Sequence, residues 1–96
     1  MTHPDIFKFC LYTAGDTLNS GQAVTNLRAI CSEYLPGKHK IELVDVFKEP
    51  GRALEERIFM TPTLVKLAPT PGERIVGNLS QTNLVLQALG LGTLIK

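Results

Sequence analysis

Thiols, imidazoles and carboxylates are the groups to test first, because their spacing decides whether this 96-residue chain has catalytic machinery. Cys10 and Cys31 are the only cysteines and form no Cys-x-x-Cys pair. Cys10 lies in a strand-like apolar run and Cys31 on the apolar side of a helical pattern. Both therefore read as buried, reduced thiols. Thiolate chemistry needs a sulfur at a helix N-terminus or beside a positive charge, within reach of substrate. The first loop, Ala14 to Ser20, holds no cysteine. His3 stands near the chain start and His39 between two lysines, neither beside an acid or nucleophile that would make it a general base. Two cysteines and two histidines at scattered positions give no zinc spacing. Gly15 and Gly77 are isolated and make no phosphate loop. Glu55 and Glu56 read as a solvated helix face. No nucleophile, base and oxyanion donor come together, so the expectation is a non-enzyme with no catalytic residue, no metal and no cofactor.

Composition narrows the remaining classes. Ten basic residues against nine acidic ones leave a net charge of +1, which argues against nucleic acid as a partner. No apolar run approaches a membrane span, and Met1 to Asp5 has no signal-peptide pattern. A cytoplasmic protein folded as one domain over residues 1–96 is expected.

The elements follow from periodicity. Ile6 to Thr13 is dense in β-branched and aromatic residues and reads as a buried central strand. Asn19 or Ser20 reads as the N-cap of a helix whose apolar face is Ala23, Val24, Leu27, Ile30, Cys31, Tyr34 and Leu35, ending at Pro36-Gly37. Lys40 to Phe47 is a second strand, and the charges at Lys40, Glu42 and Asp45 place it at a sheet edge. Arg52 to Phe59 reads as a short helix with Ala53, Leu54, Arg57 and Ile58 on one face. Thr63 to Leu67 and Arg74 to Gly77 read as a strand pair joined by the turn Ala68 to Gly72. Ser80 is expected to cap a last helix, Gln81 to Leu89, with Leu84, Val85, Ala88 and Leu89 inward. Gly90 and Gly92 end it, and a short tail follows.

Pro62 lies between the two halves. Proline cannot donate to a sheet ladder, so it belongs at a strand's first residue, and an X-Pro bond is where a cis peptide occurs. The order β-α-β-α-β-β-α, with a proline opening the third strand, is the α/β order of thioredoxin-like folds. A cis bond at Pro62 is expected on that analogy, which bears on fold and not on function.

Four blocks of sequence, in order and without gaps, resemble the KaiB family of circadian clock proteins. Leu11 to Ser20 (Leu-Tyr-Thr-Ala-Gly-Asp-Thr-Leu-Asn-Ser) is similar to the family's Leu-Tyr-Val-Ala-Gly-Asn-Thr-Pro-Asn-Ser. Val44 to Pro50 resembles Ile-Asp-Val-Leu-Lys-Asn-Pro. Thr61 to Lys66 resembles Thr-Pro-Thr-Leu-Ala-Lys, and Pro71 to Ser80 resembles Pro-Val-Arg-Arg-Ile-Ile-Gly-Asp-Leu-Ser. The resemblance implies a regulator that binds the hexameric ATPase KaiC and, in clock systems, then captures KaiA and displaces the histidine kinase SasA. It also implies two family folds: a tetrameric resting form, and a thioredoxin-like monomer that binds KaiC. A monomer, dimer or tetramer is compatible with it.

Departures from the family pattern carry their own expectation. Ala88 and Gly90 stand where clock members have Gly-Leu-Asp, Gln22 replaces a usual arginine, and the sequence ends at Lys96 without the family's acidic tail. Alanine inside a helix is favoured over glycine by about 1 kcal/mol. A glycine at 90 falls where a helix should end. Pro62, Ala88 and Gly90 are therefore read as fold-determining, biasing the chain toward the thioredoxin-like form. Partner contacts are expected at Lys40, Ile41 and Glu42 on the edge strand, which is open to strand addition, and on the surface around Lys66 and Arg74. The same fold in a stress-response adaptor, or in a thiol- or glutathione-linked oxidoreductase, are the competing readings.

Overall fold

The computed structural model describes residues 6–92, so His3 and the tail beyond Gly92 lie outside the described residues. The elements are β1 (Phe7–Thr13), α1 (Leu18–Tyr34), β2 (His39–Asp45), α2 (Pro50–Glu55), β3 (Thr63–Ala68), β4 (Glu73–Val76) and α3 (Thr82–Ala88). They form one four-stranded sheet in the order β2-β1-β3-β4. β1 runs parallel to β2 and antiparallel to β3, and β4 is antiparallel to β3. This is the α/β, thioredoxin-like order that the sequence predicts. The Thr61–Pro62 bond is cis, as are the bonds before Pro69 and Pro71.

Alternation along β1 divides the interior. Successive side chains point to opposite faces of a strand. Phe9 and Leu11 pack with Leu27, Cys31, Leu64 and Leu86 beneath α1 and α3. Cys10 and Tyr12 pack with Val44, Val65 and the half-buried Ile58 on the face carrying α2. Buried on both faces, β1 is the central strand its apolar density implied. β2 is an edge, as its charges implied.

Three local expectations are corrected. α1 begins at Leu18 with Thr17 as its N-cap, and neither Asn19 nor Ser20 caps it. Ser20 is buried, and its Oγ accepts a hydrogen bond from the Ala14 N–H at 3.0 Å, closing the β1–α1 turn instead. α2 starts with Pro50, a residue pre-shaped for the first helical position, and ends at Glu55 rather than Phe59. Arg57 adopts φ 56°, its N–H donates to Leu54 O, and the Ile58 N–H reaches back to Ala53 O at 2.8 Å. That is a Schellman stop with arginine in the position glycine usually takes. The inward face of α2 is therefore Ala53, with Ile58 beyond the cap, while Leu54 and Arg57 are exposed.

α3 is corrected at its start and on its inward face. Gln81, not Ser80, is the N-cap. Val85, Leu86 and Leu89 are buried and Leu84 is exposed. An i, i+1, i+4 stripe is filled by those three residues, and Leu84 lies on the far side of the helix from it. Its C-terminus matches the expectation for Gly90. Gly90 has φ 81°, its N–H donates to Gln87 O, and the Leu91 N–H donates to Leu86 O at 2.7 Å. Both Leu86 and Leu91 are buried, which supplies the apolar contact of a Schellman motif.

Candidate partner-binding surface

Register brings one end of every strand into a single row. Thr13 pairs with Asp45, Tyr12 with Thr63, and Thr63 with Val76. Beyond that row lie the β1–α1 turn, the turn after β2, the approach to β3 and the loop after β4. Six of the ten large apolar side chains exposed among the described residues sit at this end: Leu18, Phe47, Phe59, Met60, Val76 and Leu84. Single exposed hydrophobics are ordinary, but a contiguous group marks an interaction site.

Local hydrogen bonds shape the turns that carry three of them, Phe47, Phe59 and Met60. The Asp45 carboxylate accepts from the Phe47 N–H at 2.9 Å, turning Phe47 out until its ring lies over Gly15. Gly15 has φ 57°, and a Cβ there would meet the Phe47 ring at 3.6 Å. The Thr63 hydroxyl donates to Met60 O at 2.6 Å, closing the turn that leaves Phe59 83 % and Met60 64 % exposed. Residues Arg57 to Met60, with Thr63, Arg74 and Val76, line a groove of about 190 Å³. A second cavity of about 270 Å³ runs from Ile75 to Gln81 against Leu84 and Val85. The loop between these hollows is tied to α1: Asn26 donates to Asn78 O at 2.8 Å, and the Asn78 side chain donates to Gln22 Oε1 at 2.9 Å. Gln22, the departure seen in the sequence, thus holds the β4–α3 loop.

The residues expected to meet a partner divide into three places. Arg74 lies on the groove rim, exposed, 3.3 Å from Glu56 and donating to Arg57 O. Lys40, Ile41 and Glu42 lie on the β2 edge, away from the groove, since β2 and β4 bound opposite sides of the sheet. Arg52 grips the Glu42 carboxylate with both terminal nitrogens, at 2.6 and 3.0 Å, and holds its pKa below the usual value. Lys66 is a correction: it is buried, not part of an open surface. Its ammonium lies 5.6 Å from the centre of the Phe7 ring and donates to Leu89 O at 3.4 Å, at the negative end of the α3 dipole. Sequence reasoning missed Phe59, Met60, Phe47 and Leu18. Their apolar type beside a turn was legible, but their grouping was not.

Neither thiol is exposed. Cys10 and Cys31 are buried on opposite faces of the sheet. Burial raises the Cys10 thiol pKa and pushes that of Cys31 up to about 11, away from a reactive thiolate. Tyr12, desolvated and hydrogen-bonded to Cys10, is pushed up to about 12. Among the described residues, no group of three His, Cys, Asp or Glu is placed to hold a metal ion. No described helix is long and apolar enough to cross a membrane.

The family model for the KaiB domain matches residues 10–91. The chain belongs to the KaiB family. It is 43% identical over 81 residues to the circadian clock protein KaiB3 of Synechocystis, covering 84% of this chain and 79% of that one. It is 44% identical over 81 residues to the circadian clock oscillator protein KaiB of Prochlorococcus marinus strain SARG, covering 84% of this chain and 69% of that one. Its thioredoxin-like fold is shared with the N-terminal domain of Synechococcus elongatus SasA, at TM-score 0.75 and 18% identity over all of this chain and 90% of that one. Mitochondrial thioredoxin 3 of Saccharomyces cerevisiae shares it too, at TM-score 0.71 and 18% identity over 91% of this chain and 80% of that one. For this KaiB-family chain, these two likenesses concern fold alone.

Proposed function

We propose that this KaiB-family chain is a non-enzymatic regulator that docks on a KaiC-like hexameric ATPase through its apolar end. Docking alters the ATPase's activity or its exchange with a KaiA-like protein or a SasA-like kinase. The observation that carries this reading is the exposure of Leu18, Phe47, Phe59, Met60, Val76 and Leu84 at one end of the strands, where Phe59, Met60 and Val76 line a groove with Arg57 and Arg74. Apolar anchors with arginine at the margin are the side chains that dominate protein interfaces. The absence of cysteine from the first loop, with both thiols buried, weighs against the oxidoreductase reading.

The resting fold belongs to the same proposal. The chain rests in the thioredoxin-like arrangement, with Ala88 inside α3 and Gly90 closing it. Pull-down of the host's KaiC-like ATPase, with ATP and with ADP, tests the docking. Retention in at least one nucleotide state, lost in Phe59→Glu, is the expected result. No retention of the unaltered chain in either state rules the proposal out.

A further inference from the structure

We infer that, on the reading that the apolar end docks the ATPase, Gln22, Asn26 and Asn78 are positioning residues for that docking, acting through the β4–α3 loop. The loop runs from Gly77 to Gln81 and joins two of the apolar residues exposed at this end, Val76 of β4 and Leu84 of α3. Its path therefore sets how Val76 and Leu84 stand to each other across the cavity of about 270 Å³ that both line. The backbone does not take that path freely. Gly77 has φ 120°, and Leu79, which carries a Cβ, has φ 64°. A non-glycine residue in this region persists only where its surroundings over-determine it. One determinant is the Leu79 side chain, buried in the core with Leu27, Leu64 and Leu86. The other is Asn78.

Asn78 uses its backbone carbonyl, its side-chain oxygen and its side-chain amide nitrogen. The carbonyl accepts from Asn26 Nδ2 at 2.8 Å, Oδ1 accepts from the Ser80 N–H at 3.1 Å, and Nδ2 donates to Gln22 Oε1 at 2.9 Å. These bonds constrain one another. A backbone N–H can only donate, so Ser80 keeps Oδ1 on its side and turns Nδ2 toward α1. Residue 22 must therefore supply an acceptor. Glutamine does so and glutamate would, whereas lysine has donors only and alanine has neither. The bonds to Gln22 and Ser80 are exposed, where water competes for both partners and the net stabilisation is small. Their effect is on geometry: three bonds converge on one residue of a strained loop and tie it to α1. A surface whose loop is already ordered loses less conformational freedom on binding, which strengthens the complex without adding a contact.

Titration of the ATPase with variants at 22 and 78, alongside amide exchange, is the test. Gln22→Ala and Gln22→Lys should each weaken capture about fivefold or more, the effect of losing one hydrogen bond's worth of ordering. Gln22→Glu, which keeps the acceptor, should bind within about twofold of the unaltered chain. Gln22→Lys combined with Asn78→Asp should regain capture, because aspartate keeps one oxygen for Ser80 and offers the other to the lysine. Exchange at the Ser80 amide should quicken in Gln22→Ala and Gln22→Lys, while that of Leu11 in β1 stays the same. Faster Ser80 exchange with undiminished capture overturns the inference, leaving the three residues a tether only. A double variant as weak as Gln22→Lys also overturns it, since residue 22 would then act on the partner directly. Failure of the docking reading looks different: the unaltered chain itself is not captured, and the inference falls with it.

Discussion

Arg57 is the residue where local strain and the candidate surface coincide. A side chain at φ 56° costs about 1–2 kcal/mol relative to right-handed backbone, and glycine would avoid it. Arg57→Gly should therefore raise stability in urea by about 0.5–1 kcal/mol, allowing for the greater freedom of glycine in the unfolded chain. If the arginine is held there for the rim of the groove, the same variant should bind the ATPase more weakly. Stability and capture moving in opposite directions is the expected pair of readings; unchanged capture would make Arg57 a strained cap only. Phe59→Glu and Met60→Glu should leave the urea midpoint within about 0.5 kcal/mol, because both side chains are already exposed. Either should reduce capture about tenfold or more if it occupies the centre of the interface. Cys31 gives a pH prediction. Its folded pKa of about 11 exceeds the ordinary thiol value of 9.0, so the folded state keeps the proton longer than the unfolded state. Its contribution is complete below pH 9 and is lost as pH rises through 11, a fall of order 2 kcal/mol. Denaturation curves at pH 8 and pH 10 should separate less in Cys31→Ala.

At the scale of the element, α3 and its stop are the part most open to a single change. Gly90 at φ 81° occupies the left-handed position that lets Gly90 and Leu91 cap the last carbonyls. Gly90→Ala should cost about 1–2 kcal/mol, and Ala88→Gly about 1 kcal/mol through helix propensity. Both should loosen amide protection at Leu89 and Leu91 before that of β1. Strand chemical shifts across Arg74 to Val76 in the unaltered chain would support the proposed resting form, and helical shifts there would sink it. Element types in this chain were legible because Ile6–Thr13 and Ala23–Leu35 carry strong periods. Element ends were less so. Thr17 replaced Asn19 and Ser20 as the cap because Ser20 found a partner in the Ala14 N–H across the turn. α2 stopped short of Phe59 because Ile58 bonds back to Ala53 with a positive φ at a non-glycine residue, which no local rule anticipates.

For the whole molecule, the sequence by itself determined the order of elements, the missing thiol in the first loop and the family-like blocks. Those depend on residue type and near spacing, which are present in the chain before it folds. The place of Gly90 belongs with them, since it follows from what glycine allows locally, whereas the cis bond at Pro62 was expected only by analogy with thioredoxin-like folds. Only the tertiary structure decided which exposed residues lie together. The strand register lines up Thr13, Asp45, Thr63 and Val76, and so gathers Leu18, Phe47, Phe59 and Met60 from distant positions into one surface. Lys66 shows the same limit from the other side. Its charge implied solvent, but its place on β3 beneath the end of α3 buries it between Phe7 and the Leu89 carbonyl. Burial of a side chain is set by neighbours far away in the chain, and those neighbours exist only once the sheet has its register.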